Sequence, residues 1–196
     1  SEAAMAISKV LMEQGKKEES LKVVSGITDN YDKSMAYIEI SKVLMEQGKK
    51  DKSEEAIEES LKMASHITSV FTKASVYAEI SKVLMEQGKK EESQQVMKES
   101  LKLASEIKND LNKSEAYSEI SKILMYQRNE KKSLKLASKI TVDSIKVWTY
   151  KDISKILMEQ EKKEESLKVA SEITNEIDKS QAYIEISNVL MDQEKK

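Results

Sequence analysis

The sequence predicts an all-α protein, an α-solenoid of antiparallel helix pairs, and two observations support this prediction. The motif Glu-Ile-Ser-Lys-Val-Leu-Met-Glu-Gln-Gly-Lys-Lys at residues 39–50 recurs, with variations, along the chain of 196 residues. Its isoleucine stands at Ile7, Ile40, Ile80, Ile120, Ile153 and Ile186, in steps of 33, 40, 40, 33 and 33 residues. A unit repeated at this spacing is typical of stacked-repeat proteins. Proline is absent and glycine occurs four times, so little in the chain interrupts helices.

The first helix of each repeat, which we name the A helix, follows from a stripe of apolar residues around this motif. At about 100° per residue, five apolar residues of the second repeat share one broad face. They are Ala36, Tyr37, Ile40, Val43 and Leu44. Gly48 then ends the helix, as glycine commonly does. We therefore predict an A helix over about residues 31–47.

The second helix of each repeat, the B helix, starts after the Gly-Lys-Lys turn. In residues 18–27, Leu21, Val24 and Ile27 recur at three-residue spacing, and Asp29 then offers an N-cap to the next A helix. The two 40-residue repeats carry seven extra residues, which we assign to the start of the B helix, at 51–57 and 91–97. Seven residues add about two helical turns on the same face. The sequence thus predicts two longer B helices and no inserted loop.

We expect a single α-helical repeat domain over residues 1–196, with about eleven helices. The repeats fall at about 1–28, 29–68, 69–108, 109–141 and 142–174, with a terminal half-repeat at 175–196. Solenoids usually cap their ends with polar faces, yet Ile186, Val189 and Leu190 keep the internal apolar pattern. We interpret the chain as a fragment of a longer array, or as one that self-associates end to end.

Composition narrows the classes of function. The net charge is −2, with 33 basic and 35 acidic residues, which argues against nucleic-acid binding. The chain has no cysteine, which fits a cytoplasmic protein, and no apolar run long enough to span a membrane. Its one histidine, His66, stands where other repeats carry unrelated residues. Since no nucleophile or metal-ligand constellation is present, we predict no enzyme activity, no cofactor and no metal.

The packed positions of one short repeat resemble a known family. They are Tyr150, Ile153, Ser154, Leu157, Ser166, Leu167, Ala170 and Ile173. An aromatic residue, an aliphatic, a small residue and a second aliphatic at these spacings resemble the tetratricopeptide repeat (TPR). Serine replaces the family's glycine, the usual proline is missing, and the period is 33 or 40 in place of 34. The resemblance implies a right-handed superhelix and a non-enzymatic scaffold, which binds peptides or partner proteins on a concave groove lined by the A helices.

Two ladders of side chains border the expected groove. The methionines are Met12, Met45, Met85, Met125, Met158 and Met191, and the lysines are Lys9, Lys42, Lys82, Lys122 and Lys155. Methionines form adaptable apolar surfaces, so they predict a peptide-binding strip; alternatively, they pack between neighbouring A helices. The lysines predict a site for an acidic peptide or a terminal carboxylate. The alternative is a solvated face, because acidic residues such as Glu39 and Glu46 bracket Lys42 and neutralise it.

The fourth repeat and the A helix that follows it depart from the pattern. Tyr126 replaces the usual glutamate, the only tryptophan of the chain is Trp148, and Lys151 replaces Ile38 of the second repeat. Tryptophan and tyrosine are enriched at binding hot spots. We predict that these three side chains contribute to partner binding; local repacking of one drifted repeat would also explain them.

We therefore predict a non-catalytic protein–protein interaction scaffold that binds a peptide or partner helix in the groove. The alternative is a structural or self-assembling repeat module with no groove ligand. A third reading is a one-base-per-repeat RNA binder, which the acidic balance and uniform groove residues disfavour.

Overall fold

The computed structural model describes residues 2–193, without the side chains of residues 192 and 193, and shows helices as the only regular structure in that part. In chain order the helices are α1 (Glu2–Glu13), α2 (Lys17–Ser25), α3 (Asn30–Glu46), α4 (Lys50–Ser65), α5 (Val70–Glu86), α6 (Lys90–Glu106), α7 (Asp110–Tyr126), α8 (Glu130–Ala137), α9 (Asp143–Glu159), α10 (Lys163–Ser171) and α11 (Glu176–Gln193). Odd-numbered helices are A helices and even-numbered ones are B helices. The predicted all-α class is confirmed, with eleven helices over the described residues.

The chain divides into two compact units, residues 1–107 and 108–196. In the first unit, each A helix packs against the B helix that follows it, and α3 lies between α1 and α5. The second unit repeats this arrangement, with α9 between α7 and α11. Each unit is thus a solenoid stack of helix hairpins. The single domain over residues 1–196 and the right-handed superhelix stay predictions.

The boundaries of the A helices follow from local chemistry. Asp29 is the N-cap of α3, as predicted, and its carboxylate accepts a hydrogen bond from the Asp32 backbone N–H at 2.9 Å. After α3, Gly48 takes a left-handed conformation with φ of 71°. Glu161 occupies the same place after α9 with φ of 64°, a conformation that costs a residue with a side chain about 1–2 kcal/mol.

Buried serines join the two helices of each hairpin. The Ser53 hydroxyl donates to the Ser41 carbonyl at 2.8 Å, and the Ser133 hydroxyl donates to the Ser121 carbonyl at 2.7 Å. Small side chains at these positions let the two backbones approach closely, and the hydrogen bonds satisfy the buried hydroxyl groups of Ser53 and Ser133. The pattern explains why the recurring motif keeps a serine on its buried face.

The B helices differ in length as predicted, but the extra turns lie at the opposite end from the one we assigned. α4 and α6 have 16 and 17 residues, whereas α8 has 8. Ser53 of α4 and Ser133 of α8 each lie twelve residues after the A-helix serine to which they donate. The first turns of α4 and α8 are therefore placed in the same way against their A helices. The additional turns of α4 therefore lie at its carboxyl end. An insertion of seven residues preserves the buried face, so the sequence pattern fits either position.

The motif glutamine couples neighbouring repeats. Nε2 of Gln47 on the carboxyl side of α3 donates to the carbonyl of Met12 on α1 at 3.0 Å, and Gln160 after α9 donates to the carbonyl of Met125 on α7 at 3.0 Å. Nε2 of Gln87 instead donates to the hydroxyls of Ser41 and Ser53 at 3.1 and 2.9 Å. Part of the sequence identity between repeats is thus explained by contacts between repeats.

Candidate functional site

The candidate site lies on the side of the A helices that faces away from the B helices. Ser154 of α9 points toward α10, because the Ser166 hydroxyl donates to its carbonyl at 2.7 Å. Residues about 100–160° around the helix from Ser154 therefore lie on the other side. We name this side of α7, α9 and α11 the open face; it carries Lys122, Tyr126, Trp148, Asp152 and Lys155.

The carboxylates at equivalent positions of α3 and α9 form ion pairs with different numbers of lysines. In the first unit, Glu39 accepts from Lys9 of α1 at 2.9 Å and from Lys42 of its own helix at 2.8 Å. Burial would raise the pKa of Glu39, but the hydrogen bonds and charges of Lys42 and Lys9 outweigh it and hold that pKa below its usual range. The predicted neutralisation of Lys42 by Glu39 is therefore confirmed.

In the second unit, Asp152 of α9 stands where Glu39 stands on α3. Its carboxylate binds Lys122 of α7 at 3.2 Å. Lys155 is exposed and forms no ion pair with the described side chains of residues 2–191, although Asp152 and Glu159 stand around it as Glu39 and Glu46 stand around Lys42. Aspartate is one methylene shorter than glutamate, so it reaches the neighbouring lysine and not the one on its own helix. An available cation is left on the open face of α9.

Trp148 lies beside a lysine on the same helix. Its side chain is 65% exposed, and the Lys151 ammonium lies 5.3 Å from the centroid of its ring, within cation–π range. The same ammonium lies 3.9 Å from the carboxylate of Glu185 on α11. Lys151 is mostly buried, so it restrains Trp148 more than it offers a free charge to a partner.

Tyr126 ends α7 and is 48% exposed. Burial of the rest of the ring raises the pKa of Tyr126, and the nearby carboxylates of Glu159 and Asp152 on α9 raise it further. Tyr126 and Lys122 therefore both flank Asp152. The structure brings these two residues together with Trp148 and Lys155 on the open face of one unit.

The methionines of the predicted ladder differ in how far they are buried. Met125 and Met158 are fully buried, with Met158 in a core cluster beside Ile186, so neither is exposed to a partner. Met45 and Met85 are half-buried in the first unit, as are Lys42 and Lys82. A role of the methionines and lysines in binding stays a prediction, and Met45 and Met85 are the methionines of the predicted site that can reach a surface.

Sequence reasoning missed the ion pairs of Asp152 with Lys122 and of Glu185 with Lys151, which decide which lysine is available. The sequence does carry a signal, because four of the repeats have glutamate where α9 has Asp152. The change coincides with the tryptophan of the same helix. Its effect depends on a contact between repeats, which a single-helix analysis does not include.

The described residues form neither a candidate metal site nor a candidate membrane span. Among the described side chains, those of residues 2–191, no group of three or more His, Cys, Asp or Glu is arranged to hold a metal ion. None of the described helices is both long enough and apolar enough to cross a membrane. What distinguishes the open face is its aromatic and cationic side chains.

Comparisons with known proteins support a TPR-like fold. The family model of the tetratricopeptide repeat matches residues 34–66 and 74–107. The crystal structure of Ton1535 from Thermococcus onnurineus NA1 is similar, with a TM-score of 0.74 and 15% identity over 94% of this chain; the match spans 57% of that protein's length. A crystal structure of TPR-like repeats from a putative kinesin light chain of Podosopora anserina has a TM-score of 0.53 and 8% identity, over 100% of this chain and 96% of that one. No curated protein matches the chain.

At these identities the solved structures establish the fold alone, and the family model matches the two central repeats. Repeats of this type generally serve in protein interaction and as scaffolds. The helix hairpins, their stacking and these matches agree with one another. This chain is a TPR-like helical repeat protein.

Proposed function

We propose that this protein is a non-catalytic interaction scaffold, located in the cytoplasm, whose A-helix open face binds an acidic peptide segment or partner helix. The observation that supports the proposal most directly is Lys155, an exposed lysine with no ion pair within the described part of the chain. Trp148, exposed two turns earlier on the same helix, supplies a large apolar surface. A segment that carries carboxylates and a bulky apolar residue matches both.

The rest of the open face supports the same kind of ligand. Tyr126 adds a second exposed aromatic side chain, near the ion pair of Lys122 with Asp152. In the first unit, Lys42 is already bound by Glu39. We therefore expect the residues of α7 and α9 to dominate binding, with Lys42, Lys82, Met45 and Met85 contributing less.

The proposal is tested by titration with two matched synthetic peptides. One alternates aspartate with leucine and the other alternates lysine with leucine, both with blocked ends. Trp148 is the only tryptophan, so its fluorescence reports contact with the open face. We expect the acidic peptide to shift the emission, to bind more weakly as salt is raised, and to outcompete the basic peptide.

Substitution of the free lysine sharpens this test. Lys155→Gln should weaken binding of the acidic peptide by about three- to tenfold, the effect of about 1 kcal/mol. Lys163→Gln, which removes an exposed lysine from α10 on the other side of the hairpin, is the matched control and should leave binding unchanged. Equal binding by both variants, or no response of Trp148 to either peptide, would contradict the proposal.

A further inference from the structure

Two helices of the described chain expose apolar faces that are covered on equivalent helices. The exposed residues are Ile7 and Val10 on α1 and the polar Gln14 just after it, which together we name the leading face. On α11 they are Ile184 and Met191, the trailing face. Isolated exposed apolar residues are common on protein surfaces, but grouped ones on one helix side indicate an interaction surface.

The contact of α3 with α5 shows what such faces bind. Ile38 of α3 and Ile80 and Val83 of α5 lie in one core cluster, where Ile38 and Ile80 are both 0% exposed. Met45 of α3 is half-buried on the side of the helix that carries Ile38, and Gln87 follows α5 and donates hydrogen bonds to Ser41 and Ser53. The α3 side of this contact is thus a trailing face, and the α5 side is a leading face.

The exposed faces of α1 and α11 carry the same residue types at the same positions. In the leading face, Ile7, Val10 and Gln14 stand in the places of Ile80, Val83 and Gln87. In the trailing face, Ile184 and Met191 stand in the places of Ile38 and Met45. Ile7 is 53% exposed and Ile184 is 60% exposed. The α1 of one molecule therefore has the side chains needed to cover α11 of another in the way that α5 covers α3.

The charges at the two faces fit the same contact. Two contacts between neighbouring A helices inside the units carry an ion pair at equivalent positions, Lys9 with Glu39 and Lys122 with Asp152. The lysine's place is taken by Asn188 on α11, and the glutamate's place is taken by Ala6 on α1. A contact of α11 with α1 therefore buries neither a lysine nor a glutamate without its partner. Burying one such charge alone would be costly.

We propose that copies of this chain associate head to tail, with the leading face of one molecule packed on the trailing face of the next. The two faces are different surfaces, so the contact is heterologous and each molecule keeps one free face of each kind. Association therefore continues beyond a dimer as concentration rises. The proposal does not rest on the proposed function, because neither face includes Trp148 or Lys155.

Sedimentation velocity of residues 1–196 over a hundredfold range of concentration tests the proposal, since association follows mass action. We expect the average mass to rise with concentration beyond that of a dimer. Ile7→Glu and Ile184→Glu each place a charge in one face, so each variant alone should stay monomeric. Both residues are exposed, and circular dichroism checks that the helices are retained. Gln94→Glu, which adds the same charge to exposed α6 surface, should associate like the unaltered chain.

An equimolar mixture of Ile7→Glu and Ile184→Glu gives the sharpest result. The intact trailing face of the first can accept the intact leading face of the second, and no further contact remains. The mixture should therefore form a dimer and stop there. A chain that stays monomeric at every concentration would overturn the proposal. Undiminished self-association of Ile7→Glu alone would also overturn it, because it would show that like faces pair.

Discussion

The α3 and α9 repeats share one architecture but use their open faces differently. In both, a buried isoleucine, a serine pair and a glutamine contact hold the A helix against its neighbours. On α3 one carboxylate, Glu39, neutralises two lysines. On α9 the shorter Asp152 binds one, and an exposed tryptophan lies on the same face. The comparison separates what packing requires from what is free to vary, and the variable residues are candidates for function.

The largest effects should be equal in the two repeats. Ile40 of α3 and Ile153 of α9 are 1% and 0% exposed, and each fills the same place in its hairpin. Ile40→Ala and Ile153→Ala should each lower the free energy of unfolding by about 2–5 kcal/mol, through lost burial and a cavity. Urea unfolding measures both, and hydrogen exchange shows which helices open first. Markedly unequal losses would mean that the two repeats are not packed alike.

The turns after the two helices should respond in opposite directions. Gly48 has φ of 71°, and no atom outside the turn lies within 4 Å of where its Cβ would be, so Gly48→Ala introduces backbone strain alone and should cost about 1 kcal/mol. Glu161 already carries that strain, so Glu161→Gly should stabilise by about 0.5–1 kcal/mol.

Thermal unfolding measures both changes. Gly26→Ala is the control, because Gly26 has an ordinary helical φ of −74° and alanine there should be neutral or slightly stabilising. If Glu161→Gly destabilised the protein, the side chain of Glu161 would have to contribute more than its strained backbone costs.

The smallest effects should distinguish the two carboxylates. Glu39→Gln removes the partner of two lysines and Asp152→Asn the partner of one, so the first should cost more, at most about 1 kcal/mol at these partly exposed pairs. The pKa of Glu39 is lowered in the folded chain, so its contribution is complete above the unfolded value of about 4.3. It disappears as pH falls through the folded pKa.

Denaturant unfolding of Glu39→Gln and the unaltered chain at several pH values measures this difference. We expect the two to differ at neutral pH and to converge in acid. High salt should shrink the neutral-pH difference, since it screens exposed pairs. A difference that persisted in acid would point to lost packing of the side chain and not to its charge.

Much of the fold could be predicted from the sequence, because the signals are local. The spacing of Ile40 and its equivalents gave the helix pairs, and Asp29 and Gly48 marked where α3 begins and ends. The candidate site was predicted less completely. Trp148 and Tyr126 are exposed, but Met125 and Met158 are buried, and the availability of Lys155 depends on Asp152 and its reach to α7.

The repeat, the helices and the face that each helix buries follow from the amino-acid sequence, since these depend on periodicity within a few turns of chain. The contacts between repeats became known from the fold. It showed that Gln47 is fixed by the carbonyl of Met12, that Glu39 takes two lysines, and that the extra turns of α4 lie at its carboxyl end. The physical reason is that repeats of similar sequence offer several equivalent partners for one side chain. Which partner is used depends on distances between helices, and these do not follow from the period of the chain.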